Sequence, residues 1–353
     1  MLDTLLLRRP SRKREHHTIP SHLRKILAAV AMSLALGFVA ERASAADKIN
    51  FVLNWVPGGD HSPIYWAREQ GWYADVDIEL LIEGGTGSGV SAKKVGVGRN
   101  QLGISDLPTM LQTRGKGADL VAVMNIYANS PYGIYWKKSS GIKTFDDLKG
   151  RSIGNPPFDA ARQMWPAIAK VLKIDPASVK FVNVMPNAKV AAMHSGSIDA
   201  TTNFYNTHYI YQRIFGDDMG FVALRDLGFN PYGNSIIANG AWLMANPGLA
   251  HKFVSVTQKA YKACALNSKP CIETLAKVGS QKVADVTENW KLVVELMTHE
   301  TSTKIALGYF APDRMDADYA AVKTSFDIET YDVKTAYTND FLDMSIKMPT
   351  DTN

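Results

Sequence analysis

The sequence predicts an α/β protein of two lobes with a mostly helical C-terminal part, and three features lead to that class. Short apolar runs alternate with helix-length segments from residue 48 to about residue 203, the pattern of βαβ units around a mainly parallel sheet. The alternation completes one cycle and begins a second near Tyr132. Removing an apparent leader of 45 residues from a chain of 353 leaves 308, more than one ordinary core holds.

In the first cycle, strands are expected at 48–53, 78–81, 102–104 and 120–127, with helices at 63–70, 88–97 and 107–114. Gly71 closes the first helix as a C-cap. In the second cycle, strands fall at 132–137, 152–154, 179–184 and 200–203. A short capped helix at 144–150 and longer ones at 159–172 and 188–195 separate them. From Ala241 onward strand signals thin out and the pattern is helical. No repeat of 20–50 residues is present. Segments 125–135 and 227–237 carry similar phrases, Asn129-Ser130-Pro131-Tyr132-Gly133 and Asn230-Pro231-Tyr232-Gly233-Asn234. They are candidates for two strands crossing between the lobes, with chance similarity as the alternative. The expected division is 46–130 plus 236–353 for the first lobe and 131–235 for the second.

Residues 1–45 read as an export signal. A basic stretch that includes Arg8, Arg9, Arg12, Lys13 and Arg14 precedes an apolar run at 26–40, and Ala43-Ser44-Ala45 is a small-x-small cleavage site. The apolar run is short for a membrane span, and an uncleaved anchor is the alternative. The leader also explains the basic charge. Of 39 basic residues eight lie in it, and of 34 acidic residues three do, so 31 of each remain in a near-neutral mature chain. Nucleic acid and anionic membrane are therefore not expected partners. The two cysteines, Cys264 and Cys271, flank a turn through Asn267-Ser268-Lys269-Pro270. An exported chain makes them a disulfide candidate, with two buried thiols as the alternative. No pair of histidines has zinc-binding spacing, and no nucleophile-elbow context surrounds Ser105. No cofactor or metal is expected.

The residues after the first strand carry the densest chemistry. Asn54-Trp55-Val56-Pro57-Gly58-Gly59-Asp60-His61 is a polar turn that leads into an aromatic helix with Tyr65 and Trp66. Open α/β sheets bind ligands at the C-terminal ends of such strands. Glu83-Gly84-Gly85-Thr86-Gly87-Ser88-Gly89 opens the second helix, and backbone N–H groups at a helix start can hold an anion; a flexible turn is the plainer alternative. Trp55, Phe158 and Tyr205 stand at strand-to-helix turns, where flat side chains can sandwich a ligand. Trp66 and Trp165 lie inside helices and read as packing. Asp159 is either ligand-facing or simply an N-cap.

The run Trp-x-Pro-x-x-x-His-x-Pro-x-Tyr-x-Ala-x-x-x-Gly from Trp55 to Gly71 resembles periplasmic solute-binding proteins of ABC transporters. Gly103-Ile104-Ser105-Asp106 and Thr144-Phe-Asp-Asp-Leu-Lys-Gly-Arg-Ser-Ile-Gly154 add to the resemblance. The nearest branch is that of thiamine-pyrimidine-precursor binders, with taurine, alkanesulfonate and nitrate binders as relatives. The likeness runs from about residue 48 to 310. It implies a type II periplasmic binding fold, with two α/β lobes joined by two crossing strands and a cleft that closes on a small-molecule solute. It further implies an ABC permease as partner; a monomer is the default expectation, and the leader predicts a periplasmic location. By motif it assigns ligand contact to Trp55, Asp60, His61, Tyr65, Thr86, Gly87, Ser88, Ser105 and Asp106. The branch usually carries a Glu where this chain reads Thr202-Asn203-Phe204-Tyr205-Asn206; that carboxylate would accept from a ligand amine, so its absence counts against an aminopyrimidine ligand, and Asn203 is in the expected contact set. A synthase shares the branch, but it has a cysteine-rich motif and no export signal. The chain is therefore expected not to be an enzyme. The expected ligand is a small planar or anionic organic solute, with a taurine-type anion as the alternative.

Overall fold

The protein is described here from a computed structural model covering residues 46–350. The expected leader and its cleavage point lie outside the described residues. β1 (Asp47–Val52) emerges into solvent at its start and is buried by Phe51 and Val52 at its end. α1 (Ser62–Glu69), β2 (Ile78–Glu83), α2 (Ser88–Gly96), β3 (Leu102–Asp106), α3 (Leu107–Arg114) and β4 (Leu120–Asn125) follow. The second cycle starts with β5 (Tyr132–Lys137) and β6 (Ser152–Asn155), then α4 (Ala160–Gln163) and α5 (Trp165–Leu172). It continues with β7 (Lys180–Asn183), α6 (Lys189–Ser195), β8 (Ala200–Phe204), α7 (His208–Phe215) and β9 (Met219–Ala223). β10 (Asn234–Asn239) precedes the helices α8 (Gly240–Ala245), α9 (Pro247–Leu266), α10 (Lys269–Val278), α11 (Val283–Met297) and α12 (Pro312–Lys323).

Two five-stranded sheets result, ordered β2-β1-β3-β10-β4 and β7-β6-β8-β5-β9. In each, the strand in the fourth place runs antiparallel to its neighbours, while the three before it are parallel. Each antiparallel strand follows a crossing: β5 enters the second sheet from β4 of the first, and β10 returns from β9. The crossings are not continuous strands but paired loops. Tyr127 N–H donates to Asn234 O at 3.0 Å and Gly233 N–H to Tyr127 O at 2.9 Å, while Ser130 N–H donates to Asn230 Oδ1 at 2.6 Å. The two Pro-Tyr-Gly phrases therefore lie side by side. A Cβ on Gly233 would stand 2.7 Å from Pro131 Cδ, so a glycine is what allows this approach.

Burial explains most of the elements. The strands of the first sheet pack Ile49, Phe51, Ile104 and Ile236, all fully buried, against Phe253 and Tyr261 of α9. The segment 159–172, expected as one helix, breaks at Met164, because Pro166 has no N–H to continue the ladder from α4. Asp159 and Asp106 cap their helices by accepting from Arg162 N and Thr109 N, both at 3.2 Å. α7 and β9 had no counterpart in the sequence expectations. Cys264 and Cys271, both fully buried, form a disulfide that joins the end of α9 to the start of α10. Among the described residues, no helix is long and apolar enough to cross a membrane.

Candidate functional site

A cavity of about 380 Å³ is walled by residues of both sheets' loops and of the C-terminal helices. One wall is the turn after β1. Gly58 N–H donates to His61 Nδ1 at 3.0 Å, so that nitrogen is an acceptor and the ring proton sits on Nε2. Nε2 then donates to Asn54 Oδ1 at 3.0 Å, and the imidazole is neutral. Burial keeps His61 below the usual histidine range, against an opposing pull from Asp60. Asn54 Nδ2 donates to Asn234 Oδ1 at 3.0 Å, and Asn234 Nδ2 to Asp60 Oδ2 at 2.8 Å. Tyr261 hydroxyl donates to the Asp60 carbonyl at 2.6 Å. The turn is also pinned to α11: Gly59 N–H donates to Asn289 Oδ1 at 2.9 Å. A Cβ on Gly59 would meet that oxygen at 2.3 Å.

The opposite wall comes from the second sheet. Lys189, the first residue of α6, is 1 % exposed, and its Nζ lies 2.9 Å from Asp159 Oδ2. The same ammonium sits 5.3 Å from the centroid of the Trp55 ring across the cavity, within cation–π reach. Asn203 Nδ2 donates to Tyr211 hydroxyl at 3.2 Å. Asn206 Nδ2 donates to Asn289 Oδ1 at 3.4 Å and ties this wall to α11.

Of the residues singled out from the sequence, Trp55, Asp60, His61, Ser88, Asp159 and Asn203 line this cavity. The others stand elsewhere. Tyr65 is buried in the core, with the Arg68 guanidinium 5.2 Å from its ring. Thr86 is exposed, and Gly87 (φ +153°) passes so close to Phe158 that a Cβ would stand 2.3 Å from its carbonyl. Ser105 is fully buried, its hydroxyl donating to Ser88 O at 3.3 Å. Asp106 sits behind the wall, accepting from Tyr132 hydroxyl and, at 3.0 Å, from Thr109 Oγ1. Burial raises its carboxyl to about 7, and the hydrogen bonds only partly offset this. Phe158 lies outside the cavity wall beneath the Lys93 ammonium, 4.6 Å from its ring centroid. Tyr205 packs beneath Arg225, 4.3 Å from its ring centroid.

The glycine loop was expected to offer its backbone to an anion. Here Gly89 N–H donates to Phe158 O at 3.2 Å, while Val90 and Ser91 N–H return to Gly87 O. One N–H of the helix start is thus taken by the opposite segment's own carbonyl. Three important wall residues escaped the sequence reading. Lys189 carried no motif, being one of 39 basic residues. Asn289 lies on a helix with no local signal. Asn234 stood within the Asn-Pro-Tyr-Gly-Asn phrase and was legible there as a crossing marker, not as a wall.

Comparison with known proteins matches residues 59–269 to the family described as NMT1/THI5 like. The 4-amino-5-hydroxymethyl-2-methylpyrimidine phosphate synthase of Legionella pneumophila is 27 % identical over 164 residues, 46 % of this chain and 51 % of that protein. The chain thus matches over about half the length of that curated relative. A solved protein of Bordetella bronchiseptica RB50 superposes with TM-score 0.70 at 21 % identity, over 83 % of this chain and 95 % of that one. The alkanesulfonate-binding protein SsuA from Xanthomonas axonopodis pv. citri, bound to MOPS, superposes with TM-score 0.64 at 14 % identity, over 84 % of this chain and all of that one. These likenesses show the fold, the type II periplasmic binding fold with its two crossings. The synthase relative corrects one expectation, that the chain is not an enzyme. The lack of a nucleophile or metal motif does not exclude chemistry in a family with named synthases. By the match over 59–269, more than half of its length, the chain belongs to the NMT1/THI5-like family.

Proposed function

We propose that this protein is an extracytoplasmic solute-binding protein that captures a small planar organic solute in the cavity and passes it to an ABC permease. The observation that carries this reading is the composition of the cavity. One wall comes from the turn after β1, the other from Asp159, Lys189 and the segment after β8, and α11 is hydrogen-bonded to both. A cavity held by two sheets joined through two loops can open and close as those loops flex. In this proposal the lobes are 46–130 with 236–350, and 131–235. Six asparagines and Gln281 line the space together with Trp55, Tyr209 and Tyr211. Amides donate and accept in one plane and aromatic rings cover flat faces, which suits a planar polar solute. The export signal read from residues 1–45 and the binding-protein neighbours support the periplasmic location.

The test is a thermal-shift screen of the mature protein, stripped of co-purified solute by unfolding and refolding. The panel holds aminopyrimidines, flavins, aromatic carboxylates, taurine and alkanesulfonates. A ligand at about a hundred times its dissociation constant adds about 2.7 kcal/mol, a rise of several degrees. A planar heterocycle that raises the midpoint supports the reading. A panel with no shift argues against capture of this class.

A further inference from the structure

Resting on that reading, the charges of the cavity wall point to the kind of solute it takes. Apart from the phenols of Tyr209 and Tyr211, the ionisable wall residues are Asp60, His61, Asp159 and Lys189. Lys189 and Asp159 pair at 2.9 Å and cancel. His61 is held neutral, because protonation would set a second N–H against that of Gly58. Asp60 remains. It is 3 % exposed, accepts from the Asn234 amide at 2.8 Å and has Nε2 of the neutral His61 3.4 Å from its Oδ2, and among the described residues no lysine or arginine pairs with it. Burial, with Asp60 close by, pushes the Tyr127 and Tyr261 hydroxyls well above their usual range. Asp60 is thus the one wall carboxylate that, among the described residues, no lysine or arginine meets, and a desolvated carboxylate gains most from a cation.

We propose that the cavity selects a solute bearing a protonated amine on a planar body, with Asp60 receiving the ammonium. The same ledger disfavours anions. An acid group would face Asp60 without a free cation, since drawing on Lys189 means breaking its pair with Asp159. In the glycine loop, Gly89 N–H is already bonded to Phe158 O and is not open to an anion. Sulfonate recognition, the property named for the SsuA neighbour, therefore does not carry over to this wall.

The test uses three probes of one shape: benzylamine, benzyl alcohol and benzoate, titrated by tryptophan fluorescence at pH 7.5. The mature wild type should bind benzylamine about tenfold or more tighter than benzyl alcohol, the usual gain of a charge-assisted over a neutral hydrogen bond, with benzoate weakest. Asp60→Asn, whose amide oxygen keeps the bond from Asn234, should remove that preference, so that the variant binds benzylamine no tighter than it binds benzyl alcohol. The wild-type ranking stands as a test even if the variant does not fold. Benzoate binding as tightly as benzylamine, or a preference that survives Asp60→Asn, would overturn the charge assignment and leave capture standing. No binding of any probe at millimolar concentration would overturn the capture of small aromatic solutes itself, and the charge assignment with it.

Discussion

At the scale of single residues, the site depends on side chains that two distant parts of the sequence hold against each other. Trp55 comes from the turn after β1 and Lys189 from α6, yet the ammonium lies 5.3 Å from the ring centroid. Trp55→Ala should weaken binding of whatever the screen identifies by roughly 2 kcal/mol, about thirtyfold, as for a buried aromatic anchor. Unchanged affinity by calorimetry would remove Trp55 from the contact set. Lys189 answers to stability instead. Its removal leaves Asp159 buried and uncompensated, so Lys189→Met should cost about 3–5 kcal/mol in urea unfolding. Lys189→Met combined with Asp159→Asn keeps an oxygen to cap α4 and deletes the orphan charge. It should recover most of the loss, and equal losses in the single and double variants would show that the pair is not what Lys189 contributes. Trp55, Asp60 and His61 were legible because rigid and polar residues crowd one turn directly after a strand. Lys189 was not, since its role comes from burial beside Asp159, thirty positions away.

At the scale of elements, local signals were readable where one segment decides its own structure. The alternation of the first cycle, the glycine after the first helix and the capped turn at Thr144 all belong to that kind. α7 and β9 were missed because each depends on partners. α7 packs on Tyr135 through Tyr211, and β9 exists as the edge beside β5. The break between α4 and α5 was written in Pro166, but the apolar pattern running through 165–172 concealed it. The cysteine pair shows the local case at its clearest. Eight residues from Cys264 through Cys271 close a loop whose tethering removes unfolded-state freedom worth about 2.5 kcal/mol. A Cys264→Ala, Cys271→Ala double variant should lose about that much in urea unfolding. Reduction of the intact protein should add about 2 daltons to its mass. A wild type whose midpoint ignores reductant after full unfolding and refolding would show that the bond contributes nothing.

At the scale of the whole molecule, the fold joins its two sheets through buried polar groups, and these make stability depend on pH in opposing directions. The two-cycle architecture was legible from alternation and length, but the pairing of sheets through Asp106 and Tyr132 was not, because it joins the end of β3 to the start of β5. Burial lifts the Asp106 carboxyl to about 7 and that of Asp318, which accepts from Tyr232 N–H at 2.9 Å, to about 8. For both groups the native state keeps a proton that the unfolded chain releases near pH 4. Their contribution is therefore complete below the ordinary carboxyl range and is lost as pH rises toward 7 and 8. His61 acts the other way. With its folded value lowered, the unfolded chain takes up a proton first, so stability falls as pH drops below about 6.5. Two carboxyls outweigh one imidazole, and the wild type should lose stability from pH 5 to pH 8. Asp106→Asn cannot release a proton and still offers an oxygen to Tyr132 and Thr109. It should flatten the loss by roughly 2–3 kcal/mol over that interval, about two pH units of one titration. Urea unfolding at pH 5, 6, 7 and 8 reads this directly: parallel curves for the two proteins would mean that Asp106 is ionised in the native state throughout, with Tyr132 and Thr109 meeting its charge in full.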